Sequence, residues 1–398
     1  MDGNLSRSTH EFVSSDLEED MEGAIQNDRW EDLREDNAAQ APQKLFATID
    51  AAPPFVSVVI PCYNEERFIG EVLENLAKQY DSRYYEIIIV DGMSDDCTRE
   101  IVAKFKSSHP DIKIRLIDNH ARNIPVALNI GIKAARGDII VRLDAHSIAS
   151  NNYIRRCVEV LQRGDVAIVG MPWCIRAGAE TLTAQAIALA VSHPFGIGDA
   201  KYRLIDSLCS EQIVDTVPFG AFRKELWYEL GGFNEDLLTN EDYDFNYRAR
   251  LRGGRVLLDP AAHCDYFARA TIKDLARQYA RYGSWKAQMI KRHPRSLRWR
   301  HIIAPLFVAY MIITLVSGLF WSPAQVGLLF AIGLYVLLAL LCAVSLSRKV
   351  NEFRLVFLLP IIFFVLHFVW GGSFLLGLFR RPCRLSATER SRKDIGGS

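Results

Sequence analysis

Val56-Ser57-Val58-Val59-Ile60, followed at once by Pro61-Cys62-Tyr63-Asn64-Glu65-Glu66, is the stretch that decides the fold. Its first five residues are β-branched or small and suit a buried strand, which the polar run then breaks. Beyond the break, Phe68, Val72, Leu73 and Leu76 recur at helical spacing. The cycle repeats down the chain. Glu86–Val90 has the pattern of a strand ending at Asp91-Gly92, with a helix expected near Thr98–Phe105. Ile112–Ile117 and Asp138–Leu143 suit third and fourth strands, with a helix over Ile124–Ala135 between them. Strands alternating with helices predict βαβ units and a mostly parallel sheet, in which ligands bind beyond the carboxyl ends of the strands. The polar residues cluster at those ends: Tyr63, Asn64 and Glu65, then Asp91 and Ser94, then Asp144 and His146. That coincidence predicts one site.

After residue 150 the alternation loosens. Strands are expected at Val166–Gly170, Phe219–Phe222 and Arg255–Leu258, with helices at Thr181–Ser192 and Glu241–Leu251. A charged amphipathic helix, Ile272–Ile290, closes the region. Residues 1–50 have the composition of an acidic, disordered tail, since acid-rich sequence with few apolar residues cannot bury a core. Residues 1–40 hold 12 acidic and 3 basic side chains, so the net charge of zero over 398 residues is a cancellation. No uniformly basic surface results, and a nucleic-acid partner is not expected. The eight cysteines stand singly, without zinc spacing, which suits reduced thiols in a cytoplasmic domain. The polar N-terminus has no signal-peptide pattern.

From Ile302 to Ser347 there is no charged residue over 46 positions, room for two membrane helices with a turn at Trp321-Ser322-Pro323. Leu355–Phe379 is a third uncharged run, broken by Pro360 and Gly371-Gly372. The basic cluster Lys291–Arg300 and the loop Ser347–Arg354 both favour the cytoplasmic side, as a hairpin allows. A third full span would place Arg380, Arg381 and Arg384 on the opposite side, against the same rule. The last run is therefore either a span or a re-entrant or interfacial segment. The expected organisation is a tail (1–50), an α/β catalytic domain (54–290), a membrane anchor of two to three helices (302–379) and a basic tail (380–398).

Asp144 and His146, two positions apart past a strand end, can both reach one ion. A carboxylate with an imidazole suits Mn²⁺, and Mg²⁺ held mostly by phosphate is the alternative. Asp91, at a strand's carboxyl end, can accept hydrogen bonds from a nucleobase or ribose; the helix cap behind it falls to Ser94, Asp95 or Asp96. Glu241-Asp242 opens a helix, where an acid pair is either a dipole-favoured cap or the source of a general base.

Taken together these residues resemble the family 2 glycosyltransferases, which have the GT-A fold. The markers are Val58–Glu66, Val90–Asp96, Ala121-Arg122-Asn123 with Asn129-x-Gly131, Ala135–Asp138, Asp144-Ala145-His146, Gly231–Glu235 and Glu241-Asp242. They cover about residues 54–290 in order, and the Asp-Ala-His variant is similar to the succinoglycan-type exopolysaccharide transferases. The resemblance implies a Rossmann-like, mostly parallel mixed sheet. It implies that Pro61, Tyr63, Glu65, Asp91, Arg122 and Asp144 bind the nucleotide-sugar donor. Asp144 and His146 would meet a divalent cation (Mn²⁺ or Mg²⁺), Asp242 would be the catalytic base, and Glu241 would lie at the acceptor or diphosphate. Gln278-Tyr279-Ala280-Arg281-Tyr282 resembles the Gln-x-x-Arg-Trp motif of membrane polysaccharide synthases, placing Gln278 and Arg281 near acceptor and diphosphate. Tyr282 in place of Trp, and the few spans, argue against a processive synthase.

The implied reaction is inverting hexosyl transfer from a UDP-sugar such as UDP-glucose to a lipid-linked saccharide. It would occur at the cytoplasmic face of the inner membrane, beside other polysaccharide-assembly enzymes. A polyprenyl-phosphate monosaccharide synthase is the near alternative. A sugar nucleotidyltransferase would need a glycine-rich loop after the first strand, and Tyr63–Phe68 has no glycine.

Overall fold

Seven residues in an unbroken buried row, Val56–Cys62, form β1, and everything that positions the site is built beside it. The computed structural model describes residues 54–380; both expected tails fall outside them, save Arg380. β1 runs through Pro61 and Cys62, past the break expected there. The ladder partners for these last positions come from β2 (Tyr85–Asp91), which pairs Cys62 with Asp91. β3 (Lys113–Asp118) and β4 (Ile139–Arg142) add two more strands parallel to these. Helices α1 (Ile69–Leu76), α2 (Thr98–Ser108) and α3 (Ile124–Ala134) connect these strands.

Further strands follow: β5 (Ser147–Ala149), β6 (Ile168–Gly170), β7 (Trp173–Arg176), β8 (Gln212–Ile213), β9 (Ala221–Arg223), β10 (Val256–Leu258) and β11 (Cys264–Phe267). The main sheet has the order β3-β2-β1-β4-β9-β6-β10-β8, and β5-β11-β7 form a second sheet that the sequence did not announce. β9 runs antiparallel to both β4 and β6, so the sheet is mixed. Helices α4 (Tyr153–Gln162), α5 (Leu182–Ala190), α6 (Lys224–Leu230), α7 (Glu241–Leu251) and α8 (Ile272–Arg292) surround them, α4 and α6 being additions to the expected set.

Two apolar layers cover the main sheet. Val58, Ile60, Ile87 and Ile89 face one way, and Val59, Ile88 and Val90 face the other, the alternation that a pleated strand imposes. Burying each such side chain stabilises by about 1.5–3 kcal/mol. Gly131 lets α3 lie directly on the sheet, because a Cβ there would stand 2.5 Å from Val59 Cγ1.

Three helices are long and apolar enough to cross a membrane: Trp299–Ser317, Ser322–Lys349 and Leu355–Phe379. They are α9 (Ile303–Ser317, with the turn before it), α10 (Ser322–Lys349) and α11 (Leu355–Phe379). The break between α9 and α10 falls at the expected turn. Pro360 and the glycine pair do not end α11; a single π turn, Val365–Val369, absorbs the irregularity. α11 lies alongside α8. A Cβ on Gly283 would sit 2.3 Å from the Trp370 carbonyl oxygen, Gln288 Nε2 donates to the Gly377 carbonyl at 2.9 Å, and Lys291 Nζ donates to that of Arg380 at 2.6 Å. Small residues permit this approach, as in helix pairs within membranes. The other end of α11, at Leu355 and Leu359, packs with Ile187 of α5 in one apolar cluster.

Candidate active site

Strand order reverses at β1, with β2 on one side and β4 on the other. Crevices at such reversals bind ligands in open α/β sheets. Here the crevice is bridged by one contact: Glu65 Oε1, after β1, meets His146 Nδ1, after β4, at 2.8 Å. Burial opposes a charged imidazole, but the Glu65 hydrogen bond and the Asp144 and Glu65 charges outweigh it, raising the His146 pKa. Glu65 itself is fixed by its backbone N–H, which donates to Thr98 Oγ1 at 2.8 Å.

β4 ends in Arg142, whose side chain is 4% exposed. A guanidinium so far from water requires counter-charges, and three carboxylates supply them. Nη2 meets Asp144 Oδ1 at 3.1 Å and Glu241 Oε1 at 3.2 Å, while Nη1 meets Asp242. Glu241 and Asp242 open α7, as expected, behind Asn240 at φ 70°. Burial and the Asp242 charge push the Glu241 pKa up, and burial raises that of Asp242 against the opposing pull of Arg142. Phe219, at φ 51°, lies under the Arg142 guanidinium at 5.4 Å. A bulky side chain in the left-handed region is strained, and such strain concentrates at functional sites.

These groups open onto a cavity of about 930 Å³ lined by Asp144, His146, Glu241, Asp242, Gln278 and Arg281 among others. Its far end is apolar and belongs to the three long apolar helices, with Phe307 of α9, Leu334 and Tyr335 of α10, and Leu366 of α11. Gln278 is buried and not on a solvated face: its Nε2 donates to the hydroxyls of Tyr266 and Tyr282, both at 3.0 Å. Arg281 is exposed to the cavity, 6.0 Å from the Tyr282 ring centroid.

The other expected donor residues stand outside the cavity wall, around the ends of β1 and β2. Arg122 lies over the half-exposed Tyr63 ring at 5.6 Å, and Pro61 is buried within β1. Asp91 is fully buried, with its carboxylate accepting from Ser94 Oγ at 2.5 Å and from Arg99 Nη1 at 2.6 Å. The N-cap of α2 is Cys97 and not Ser94, Asp95 or Asp96, and it makes no side-chain cap bond; Asp96, one position earlier, accepts from the Thr98 N–H at 3.0 Å.

Among the described residues, no group of three or more His, Cys, Asp and Glu side chains gathers to hold a metal ion. A pair such as Asp144 and His146 fits a cation whose remaining ligands are phosphate oxygens and water, and Glu65 would orient the imidazole as second-layer carboxylates do at metal sites. Burial drives the thiol pKa values of Cys62, Cys157 and Cys264 up, so none of them is poised as a nucleophile.

Residues 57–231 match the sequence profile of Glycosyl transferase family 2. Over this stretch the chain is similar to the family 2 glycosyltransferases. Over 331 residues it is 27% identical to the dolichyl N-acetyl-α-D-glucosaminyl phosphate 3-β-D-2,3-diacetamido-2,3-dideoxy-β-D-glucuronosyltransferase of Methanococcus voltae, covering 82% of this chain and 98% of that one. It is 29% identical to the succinoglycan biosynthesis protein ExoA of Rhizobium meliloti (strain 1021), over 63% of this chain and 74% of the relative. The mannosyltransferase PcManGT of Pyrobaculum calidifontis, solved with GDP-Man and Mn²⁺, superposes with a TM-score of 0.54 at 21% identity. That superposition covers 80% of this chain and 88% of the mannosyltransferase, and it shares the GT-A fold.

Several glycosyltransferase markers turn out to hold the scaffold. Asn129 Oδ1 accepts from Trp227 Nε1 at 3.1 Å and from the Phe233 N–H at 2.8 Å, while Arg248 donates to the Gly232 carbonyl at 2.8 Å. Sequence reasoning missed Arg142, Arg203 and Lys286, all buried and all lining the cavity. The available signal for Arg142 was a lone cation closing the apolar run Ile139-Ile140-Val141.

Proposed function

We propose that this glycosyltransferase moves a hexose from a nucleotide-diphosphate sugar, a UDP-sugar in our reading, to a saccharide carried on a lipid, with inversion at the anomeric carbon. The observation that carries the reading is the continuity of one cavity from the Arg142 carboxylate cluster to apolar walls supplied by α9, α10 and α11. An amphipathic acceptor matches both ends. The Methanococcus voltae relative, named for a dolichyl-phosphate-linked substrate, supports the same class.

Asp242 takes the proton of the acceptor hydroxyl as that oxygen attacks the anomeric carbon from the face opposite the departing nucleotide. Its raised pKa suits a base working near neutral pH. Arg142 holds Asp242, Glu241 and Asp144 in fixed relation, and Arg281 faces the leaving diphosphate. Tyr63, Glu65, Asp91 and Arg122 bind or position the nucleotide end. A divalent cation held by Asp144 and His146 would neutralise the donor diphosphate.

The catalytic domain lies on the cytoplasmic side, where its basic flanks favour it. α9 and α10 form a spanning hairpin, and α11 lies along the membrane surface beside α8. That placement keeps Arg380 on the cytoplasmic side.

The test is incubation of membranes holding the full chain with labelled nucleotide sugars and lipid-linked saccharides. Label should pass into a lipid-extractable product with inverted anomeric configuration. Transfer only to water-soluble acceptors, or retention of configuration, overturns the reading.

A further inference from the structure

Lys286 is 6% exposed and faces the cavity from α8. Its ammonium stands 3.3 Å from the centroid of the Tyr243 ring, and among the described residues it forms no ion pair. The neighbouring acid is already committed: Asp215 accepts from Arg300 Nη2 at 2.5 Å and from the Tyr243 hydroxyl at 3.2 Å. Burial and the Arg300 charge push the Lys286 pKa well below the usual range. A buried amine with no acid of its own sheds its charge, and a phosphate brought against it from outside would supply the partner that restores the proton.

His301 stands beside it, buried and in the same wall. Its Nδ1 accepts the Arg298 backbone N–H at 3.3 Å, which leaves Nε2 as a donor. Its ring lies 5.6 Å from that of Tyr243 and 6.5 Å from that of Trp370. The two residues mark a boundary along the cavity. On one side Tyr243 directly follows Asp242; on the other, Ile303, Ala304 and Phe307 begin the apolar lining. A ligand there meets carboxylates, then the N–H donors of Lys286 and His301, then hydrocarbon.

We propose that Lys286 and His301 hold the phosphate of a lipid-phosphate acceptor, with its alkyl chain running between α9 and α10. This rests on the reading of the acceptor as lipid-linked. Phosphate could also come from the donor nucleotide, so the experiment separates the two sources.

The full chain, in bilayer discs of zwitterionic lipid, is titrated with farnesyl phosphate, farnesol, UDP and GDP. Farnesyl phosphate should bind at least tenfold more tightly than farnesol. Lys286→Met should abolish that preference, Lys286→Arg should restore most of it, and His301→Gln should weaken it several-fold. Nucleotide affinity should be unchanged throughout. Because Lys286→Met removes a buried amine that has no acid partner, its Tm without ligand should equal or exceed that of the parent. An unchanged farnesyl phosphate preference in Lys286→Met, or a loss of nucleotide affinity instead, overturns the proposal. So does a lowered Tm, which would make Lys286 a structural member of the Tyr243 contact. If the parent binds farnesyl phosphate as described yet transfers sugar to no lipid-linked saccharide, the functional reading falls and this site stands. If it transfers sugar but ignores the phosphate, this site falls alone.

Discussion

The two ends of the cavity are built by opposite rules. At the sheet end, Asp144, His146 and Glu65 stand on short loops that leave parallel strands, and each is placed by backbone already fixed in a ladder. At the membrane end, Gln278, Lys286, His301, Phe307 and Tyr335 come from four helical segments whose mutual packing sets the wall. The first arrangement tolerates variation elsewhere in the chain. The second depends on every helix keeping its place. The proposed donor chemistry sits in the part that local structure guarantees, and the proposed acceptor contacts sit in the part that only the whole molecule creates.

Arg142 joins the two, and its loss should have the largest effect. Arg142→Met would leave Asp144, Glu241 and Asp242 without their buried counter-charge, at a cost of about 3–5 kcal/mol. Thermal unfolding should register that loss together with abolished turnover. A variant of normal stability and rate would show that the carboxylates do not need a common cation. Next in size is Asp242→Asn. Turnover should fall by about 10²–10⁴-fold while nucleotide affinity, measured by calorimetry, stays as it was. Full activity would point to a lipid phosphate as the nucleophile; lost affinity with a normal saturated rate would move the base to Glu241.

The acidity of that base gives a second handle on the sheet end. Asp242 must be ionised to take a proton, and its pKa is raised by burial. The acid limb of kcat/KM should therefore lie above the ordinary carboxylate range near ~4, with activity falling as pH drops through it. A limb within that ordinary range would argue that bound ligands cancel the burial. Glu65→Gln should then weaken cation-dependent activity by about 10–100-fold, read from the Mn²⁺ concentration needed after chelation. Undiminished turnover in EDTA by the parent would remove the cation from the scheme. The smallest effect belongs to the helix packing. Gly283→Ala forces α8 and α11 apart and should cost about 1–3 kcal/mol, visible in Tm and in weaker acceptor binding with donor affinity intact.

The same division explains which parts of the molecule are legible in its sequence. The β1–α1–β2 cycle, Asp144 with His146, and Glu241-Asp242 are local patterns, each complete within a few residues. Arg142 escapes because its partners on α7 lie far along the chain, and nothing near Arg142 signals them. The sheet β5-β11-β7 escapes for a related reason. Its strands hold three or four residues each, and contacts such as His263 N–H to Ser150 Oγ close across 113 positions. Such strands carry no periodicity of their own. Lys286 is hidden in an amphipathic helix among five other lysines and arginines, none of them buried. Only the packing of Tyr243 against it sets it apart.

The close seating of α11 against α8 also bears on how such enzymes could be recombined. A module can be grafted when few contacts cross its boundary; here backbone carbonyls of α11 are bonded directly by side chains of α8. Exchanging residues 54–292 with those of a relative while keeping α9, α10 and α11 would sever those bonds and open the apolar wall of the cavity. Swaps with crossover points after Arg292 should give chains that handle nucleotide normally and fail on acceptor. Crossovers near residue 150, before the second sheet is complete, would instead move donor preference and leave the proposed acceptor site whole.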